Sequence, residues 1–168
     1  MQSSVQAEPR VRSAVQAERR VQLIALAEAV AELADNRNIK AVRVHDVRDD
    51  LEMRRVLDTI VRRWTRLVPT TYSSAAALRA RRAKLHREHI VPVRVLVDRM
   101  IMDPTECRAL LERAVIIASV TEAEHRQLGG IWARHQDLYR RMLKGQVSRL
   151  PKRGMERYTT AGITLQST

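Results

Sequence analysis

One run of apolar residues at helical spacing constrains the fold of this chain more than any other feature. Across residues 46–67 the apolar side chains recur every three or four positions, while the charged side chains lie off that line. The apolar line consists of Val47, Leu51, Val56, Leu57, Ile60, Val61, Trp64 and Leu67. This pattern predicts a long amphipathic helix whose apolar side packs against the rest of the molecule.

The composition indicates that packed helices form most of the core. Phe is absent, and the chain has only two Trp and three Tyr, so Val, Leu, Ile, Ala and Met must fill the interior. A length of 168 residues suits one domain that buries roughly 70% of its unfolded surface. Residues 12–34 repeat the helical pattern ahead of the first stripe.

Shorter elements are predicted after the amphipathic stripe. Residues 84–93 have the composition of a strand, and residues 115–120 form an apolar run typical of a buried strand. Thr121, with Glu124 three positions later, matches the capping box that begins a helix. The remaining predicted helices are one that ends at 35–38, one that is capped by Ser73 or Ser74 and ends near 82, and others at 95–102, 104–113 and 131–143. A short strand is predicted at 39–44, and loops are predicted at 69–73 and 129–130. The chain from 151 onward is predicted to be mostly loop, with a short closing segment around 163–165.

These elements predict a mainly helical α+β fold. We expect a small antiparallel β-hairpin with a flanking helix, packed on an N-terminal helical region. Residues 1–70 would form the N-terminal helical arm or subdomain. Residues 71–168 would form the hairpin unit with a helical insertion and a basic C-terminal tail.

The net charge of +12 is concentrated in two stretches. Residues 79–87 contain five basic side chains and no acid, and residues 140–157 contain seven against one glutamate. Such clusters favour a polyanionic partner, above all nucleic acid, over the alternatives of a merely solvated surface or an acidic protein partner. The predicted nucleic-acid contacts are Arg79, Arg81, Arg82, Lys84, Arg87, Arg140, Arg141 and Lys144.

The cysteine count and the apolar runs bear on location. Cys107 is the only cysteine, so no intramolecular disulfide can form. No apolar run has the length of a secretory signal or of a membrane span. We therefore expect a cytoplasmic protein with no membrane partner.

Three histidines and a glutamate form the candidate site. If strands 84–91 and 115–120 pair antiparallel, Glu88 or His89 can face His125 at the start of the following helix. On a regular strand alternate residues share a face, which would group His86, Glu88 and His125 as metal ligands. An irregular strand would instead allow Glu88 and His89 to act together. Imidazole and carboxylate bind hard or borderline cations, and a free imidazole can take a proton from water.

The two halves of this site resemble HNH nucleases, which carry the ββα-metal fold. Glu88-His89-Ile90-Val91-Pro92 is similar to their opening signature, and Val120-Thr121 with Glu124-His125 and Leu128 is similar to their second half. The resemblance implies Glu88 and His125 as ligands of one divalent ion (Mg, Mn or Zn) and His89 as the general base. The tail containing Arg157, Tyr158 and Ala161-Gly162-Ile163 looks like the ending of bacterial proteins with such a unit.

Two function classes follow from this resemblance. The first is a metal-dependent HNH-type endonuclease that hydrolyses DNA; an RNA-directed nuclease has the same sequence features. The alternative is a non-catalytic nucleic-acid-binding or protein-interaction module, of phage or mobile-element type, on a degenerate HNH-like fold. The missing asparagine between the two halves favours this alternative, since strand 115–120 offers none. The N-terminal helices offer a surface for a second copy or a protein partner.

Overall fold

The computed structural model describes residues 7–40, 47–80 and 84–168. Most of the described chain is helical, and a small mixed sheet joins the helices. The helices are α1 Ala7–Lys40, α2 Val47–Thr65, α3 Ala75–Arg79, α4 Val93–Met102, α5 Cys107–Ala109, α6 Glu122–Arg134, α7 Gln136–Leu143 and α8 Leu150–Thr160. The strands are β1 Thr70–Ser74, β2 Leu85–His89, β3 Ile117–Thr121 and β4 Leu165–Ser167. The predicted mainly helical α+β fold is confirmed.

The sheet has the strand order β2-β3-β1-β4. The predicted antiparallel pairing of segments 84–91 and 115–120 is confirmed. Strand β2 runs antiparallel to β3, with Leu85 opposite Thr121 and His89 opposite Ile117. Strand β1 pairs in parallel with β3 and antiparallel with β4. Consequently β2 lies at one edge of the sheet, with α6 starting directly after its neighbour β3.

Each face of the sheet carries its own hydrophobic cluster. Successive side chains of β3 point to opposite faces, so Ile117 joins the larger cluster while Ala118 and Val120 join the smaller one. The larger cluster contains Ile24 of α1, Leu57 of α2 and residues of α4, α5 and α7. The smaller cluster lies under α6 and α8. Residues from both predicted parts, 1–70 and 71–168, therefore share the larger cluster.

Several predicted elements are confirmed with shifted ends. The helix predicted at 46–67 is α2, and its apolar side chains Leu57, Ile60, Val61 and Trp64 are buried. Ser74 caps α3 by accepting a hydrogen bond from the Ala77 amide at 2.9 Å. Strand β3 begins two residues later than predicted. The strand predicted at 39–44 is not confirmed, because residues 39–40 belong to α1 and 41–46 lie outside the described residues.

Three sequence predictions about breaks in the chain were wrong. Helix α1 continues to Lys40 through the polar run at 35–38. Helix α6 continues through the glycine pair, because Gly129 lies on an open surface where a helical glycine costs only about 1 kcal/mol relative to alanine. The segment after 150 is helix α8, because Pro151 occupies its first turn, where no amide donor is needed.

The polar segment predicted as a loop at 69–73 is largely strand β1. Its residues are held by hydrogen bonding to β3 on one side and β4 on the other. None of the helices in the described ranges combines the length and the apolar character needed to cross a membrane.

Candidate functional site between strand β2 and helix α6

Strand register brings the candidate residues of β2 to one face of the sheet. His86 lies opposite Val120 and Glu88 lies opposite Ala118, so both side chains share the face of the smaller cluster. Glu122 and His125 occupy the first turns of α6, immediately after β3. The arrangement of two antiparallel strands followed by a helix thus gathers two imidazoles and two carboxylates.

Each imidazole of this group is bonded to its own carboxylate. His125 Nδ1 lies 2.8 Å from Glu88 Oε2, and His86 Nε2 is hydrogen-bonded to Glu122 Oε2. The two rings are stacked, with their centroids 4.8 Å apart and their planes 8° from parallel. We call these four side chains the His–Glu cluster. His86 and Glu88 are alternate residues on a regular strand and lie on the same face as His125 of α6. This is the regular-strand alternative of the two that the sequence left open.

A buried arginine from helix α8 completes the cluster. Arg157 Nη2 donates to Glu88 Oε1 at 2.8 Å and to the His89 carbonyl at 2.7 Å. Its side chain is only 2% exposed, and that of Glu88 is 16% exposed. Glu88 therefore bridges Arg157 and His125. The sequence pattern predicted no role for Arg157, although the resemblance of the tail around it was a usable signal.

Glu124 holds the start of α6 rather than joining the cluster. Its Oε2 accepts hydrogen bonds from the Thr121 amide at 2.9 Å and from Ser74 Oγ at 2.6 Å. Thr121 Oγ1 accepts from the Glu124 amide in return, so the predicted capping box is confirmed. These bonds attach the first turn of α6 to strand β1 and fix the positions of Glu122 and His125.

The pKa of the Glu122 carboxyl is lowered from its ordinary value. The largest cause is its hydrogen bond with His86, and the positive charges of Arg126 and Lys84 act in the same direction. Arg126 Nε lies 3.5 Å from Glu122 Oε1. Glu122 is therefore ionised at neutral pH and can only accept, so the His86 Nε2–H must donate to it.

His89 faces away from the His–Glu cluster. Its Nε2 lies 2.7 Å from Thr65 Oγ1 on α2, and the Thr65 hydroxyl donates to the Val61 carbonyl at 2.8 Å. That hydroxyl has one proton, so His89 Nε2–H is the donor to Thr65. Burial lowers the pKa of His89 from 6.5 to about 4. The predicted general base is thus a neutral, packed imidazole on the other face of the sheet.

We expect His89 to make the protein less stable as the pH falls from 6.5 towards 4. Between pH 4 and 6.5 the unfolded chain binds a proton at His89 that the folded chain does not bind, so the free energy of unfolding rises with pH. Above pH 6.5 His89 is neutral in both states, and this loss of stability is absent. The effect amounts to at most about 3 kcal/mol. Urea unfolding of wild type and of His89→Gln at pH 7 and pH 5 measures it.

Two comparisons make this pH experiment specific. His89→Gln keeps an N–H donor for Thr65 without titrating, so its stability should change less between the two pH values. His135→Gln removes an exposed imidazole and should retain the wild-type pH dependence. Equal pH dependence in wild type and His89→Gln would contradict the buried neutral state of His89.

The predicted metal ligands lie together, but they do not form a converged site. Glu88 and His125 provide a carboxylate oxygen and an imidazole nitrogen 2.8 Å apart, and both donor types suit Mn²⁺ or Zn²⁺. Within residues 7–40, 47–80 and 84–168, no group of three His, Cys, Asp or Glu side chains is arranged to hold one ion. Only Glu88 and His125 would be available as ligands of one ion, because His86 is bonded to Glu122 instead.

The predicted nucleic-acid contacts have varied surroundings. Arg87 donates to the carbonyls of Thr65 at 3.1 Å and Val68 at 2.7 Å, where it satisfies the C-terminal end of α2. Arg140 lies 3.7 Å from Asp137, and Arg141 lies 3.1 Å from Glu156. Arg79, Lys84 and Lys144 are exposed, whereas Arg81 and Arg82 lie outside the described residues.

Comparison of the chain with protein-family models, with curated proteins and with solved structures found no match. Any assignment of function therefore rests on the residues of the site itself.

Proposed function

We propose that this chain hydrolyses phosphodiester bonds of nucleic acid at the His–Glu cluster, as an HNH-like nuclease. The supporting observation is the stacked pair of imidazoles, each bonded to a carboxylate, where the antiparallel strands β2 and β3 meet the start of helix α6. A buried arginine bonded to one of these carboxylates adds to the support. The net charge of +12 suits a polyanionic substrate.

His86 is our candidate for the general base. Its Nε2–H donates to Glu122, and this tautomer keeps a lone pair on Nδ1. Nδ1 would take a proton from a water molecule as the water oxygen forms its bond to phosphorus and the bond to the leaving oxygen breaks. Glu122 would stabilise the imidazolium that forms. This proposal replaces His89, which the resemblance to HNH nucleases implied as the general base, with His86.

Glu88 and His125 are the candidate ligands of a divalent ion. When bound, such an ion would neutralise charge that develops on the phosphate and on the leaving oxygen. Arg157 holds the Glu88 carboxylate in position through Oε1, which leaves Oε2 on the side of His125. Arg157 thus acts as a positioning residue, because it reaches the reacting atoms only through Glu88.

Plasmid nicking by the purified protein with Mg²⁺, Mn²⁺ or Zn²⁺, and with EDTA, tests the nuclease proposal. We expect His86→Ala to lower the cleavage rate by about 100-fold or more, which is the usual loss when a general base is removed. Glu88→Gln and His125→Ala should also reduce the rate. His89→Gln should cleave at close to the wild-type rate, because its side chain faces Thr65.

Circular dichroism of each variant separates loss of chemistry from loss of fold. If His86→Ala is folded and still nicks DNA while His89→Gln is folded and does not, the general base is His89 and not His86. Absence of cleavage by the wild type with every metal, together with salt-sensitive binding of nucleic acid, would contradict the enzyme and favour the non-catalytic binding module.

A second candidate is metal-independent cleavage of RNA. It is favoured by the adjacency of His86 and His125, since one imidazole could accept the 2′-hydroxyl proton while the other donates to the 5′ leaving oxygen. The 2′-oxygen would then bond to phosphorus and yield a 2′,3′-cyclic phosphate. EDTA-resistant cleavage of RNA with this product, and no cleavage of DNA, would distinguish this candidate from the first.

A further inference from the structure

An open basic groove lies between α1 and the C-terminal end of α2 with the turn that follows it, and none of its lining residues belongs to the His–Glu cluster. Its cavity volume is about 530 Å³. Leu23, Leu26 and Leu67 provide apolar lining, and three arginines surround them. The arginines are Arg19, Arg63 and Arg66, and all three are exposed.

The three groove arginines differ from other surface arginines in their ion pairing. Among the carboxylates in the described parts of the chain, none pairs with Arg19, Arg63 or Arg66. Other surface arginines differ in this respect: Arg62 is bonded to Asp58 at 2.6 Å, and Arg141 lies 3.1 Å from Glu156. Positive potential is therefore focused in the groove, because a cleft lined by one sign of charge attracts counter-ions.

Direct contacts connect the helix that lines the groove with the strand that carries the candidate site. Thr65, between the groove arginines Arg63 and Arg66, is bonded to His89 of β2. Arg87 of β2 donates to the Thr65 and Val68 carbonyls of the same turn. The hydrogen bond with Asp58 raises the pKa of Arg62, beside Arg63, and the charge of Glu88 acts in the same direction. Because β2 is an edge strand, a chain crossing that edge could pass from the groove to the His–Glu cluster.

We propose that the groove between α1 and α2 binds the phosphate backbone of the nucleic acid that the candidate site acts on. The identity of this polyanion rests on the proposed nuclease function. Three guanidinium groups suit phosphate oxygens, and a groove without an aromatic side chain among its lining residues favours contacts with backbone over stacked bases. The principal backbone contacts would thus lie on helices α1 and α2, outside the basic runs at 79–87 and 140–157.

A matched pair of double variants tests the groove. Arg63→Gln/Arg66→Gln removes two groove charges, and Arg108→Gln/Arg113→Gln removes two exposed charges that lie outside the groove and outside the predicted nucleic-acid contacts. Both are made in a His125→Ala background, so that the probe stays intact. Fluorescence anisotropy with a labelled DNA duplex, and separately with a labelled RNA strand, measures Kd over a series of salt concentrations.

We expect the groove variant to raise Kd by about 10-fold or more at low salt. In a plot of the logarithm of the binding constant against the logarithm of the salt concentration, the negative slope should become smaller in magnitude by about 2. Each lost phosphate contact removes about one released counterion. The control variant should change both quantities much less. Equal effects of the two double variants, or no effect of the groove variant, would overturn the proposal.

Two further measurements separate the groove from the nuclease. If the wild type binds neither duplex nor RNA but binds poly-glutamate through Arg63 and Arg66, the groove serves an acidic protein and the proposal is overturned. Hydrolysis of bis(p-nitrophenyl) phosphate by the wild type reports on chemistry alone. Absence of hydrolysis and of nicking, with groove-dependent binding intact, supports the groove and contradicts only the nuclease function.

Discussion

Arg157→Ala should destabilise the protein by about 3–5 kcal/mol and abolish nicking. The substitution leaves Glu88, whose side chain is 16% exposed, without the guanidinium that balances its charge. It also leaves the His89 carbonyl with only the long hydrogen bond from the Tyr158 hydroxyl at 3.5 Å. Removing one partner of a buried ion pair costs about this much, because the remaining charge is desolvated and uncompensated. Urea unfolding at pH 7 measures the change in free energy.

A surface pair provides the control for Arg157. Arg141 and Glu156 lie 3.1 Å apart with side chains 58% and 42% exposed, so Arg141→Ala should cost no more than about 1 kcal/mol. The double variant Arg157→Met/Glu88→Gln removes both buried charges and should recover part of the stability lost in Arg157→Ala. It should not recover nicking, because the positioned carboxylate is gone. Similar costs for Arg157→Ala and Arg141→Ala would contradict the buried pair.

Gly154→Ala should destabilise the protein by about 1–3 kcal/mol, although alanine is the better helix former. A Cβ at position 154 would lie 2.5 Å from the Ile90 carbonyl oxygen and 2.8 Å from its carbon. These are backbone atoms, so helix α8 must move away from the end of β2. That movement would also displace Arg157, three residues along the same helix, and lower the nicking rate.

Gly129 gives the opposite result and serves as the matched control. Among the described side chains and neighbouring segments, no atom lies within 4 Å of where a Cβ would stand at this position of α6. Gly129→Ala should therefore stabilise the protein by up to about 1 kcal/mol, since it removes the entropic cost of a helical glycine. Urea unfolding of both variants tests the difference in sign. A stabilising Gly154→Ala would show that α8 does not need this close approach.

Patterns that depend on near neighbours in the chain predicted much of the fold. The apolar spacing in 46–67 predicted α2, since an amphipathic stripe has one geometry that buries it. Thr121 and Glu124 predicted the start of α6, because a capping box satisfies amides within one turn. Strand alternation was sufficient to place His86 and Glu88 on one face once β2 and β3 pair.

Other features were not predicted from the sequence, because they depend on contacts between distant segments. The polar β1 becomes a strand only between β3 and β4, since its hydrogen-bond partners lie far along the chain. The role of α8 depends on the fit of Gly154 against Ile90. The resemblance to HNH nucleases remains a prediction, and so do the metal ion and the nucleic-acid substrate.

The two neighbours Glu88 and His89 show where the sequence alone reaches its limit. The sequence determined that these residues lie on a strand and that His125 lies near the start of a helix, because spacing and capping act within a few residues. Only the tertiary structure decided their surroundings. On one face of the sheet, Glu88 is bonded to Arg157, which is 69 residues away in the chain. On the other face, His89 is bonded to Thr65, which is 24 residues away, and is buried there. Desolvation and ion pairing depend on what lies across a contact, and packing of the whole chain fixes that.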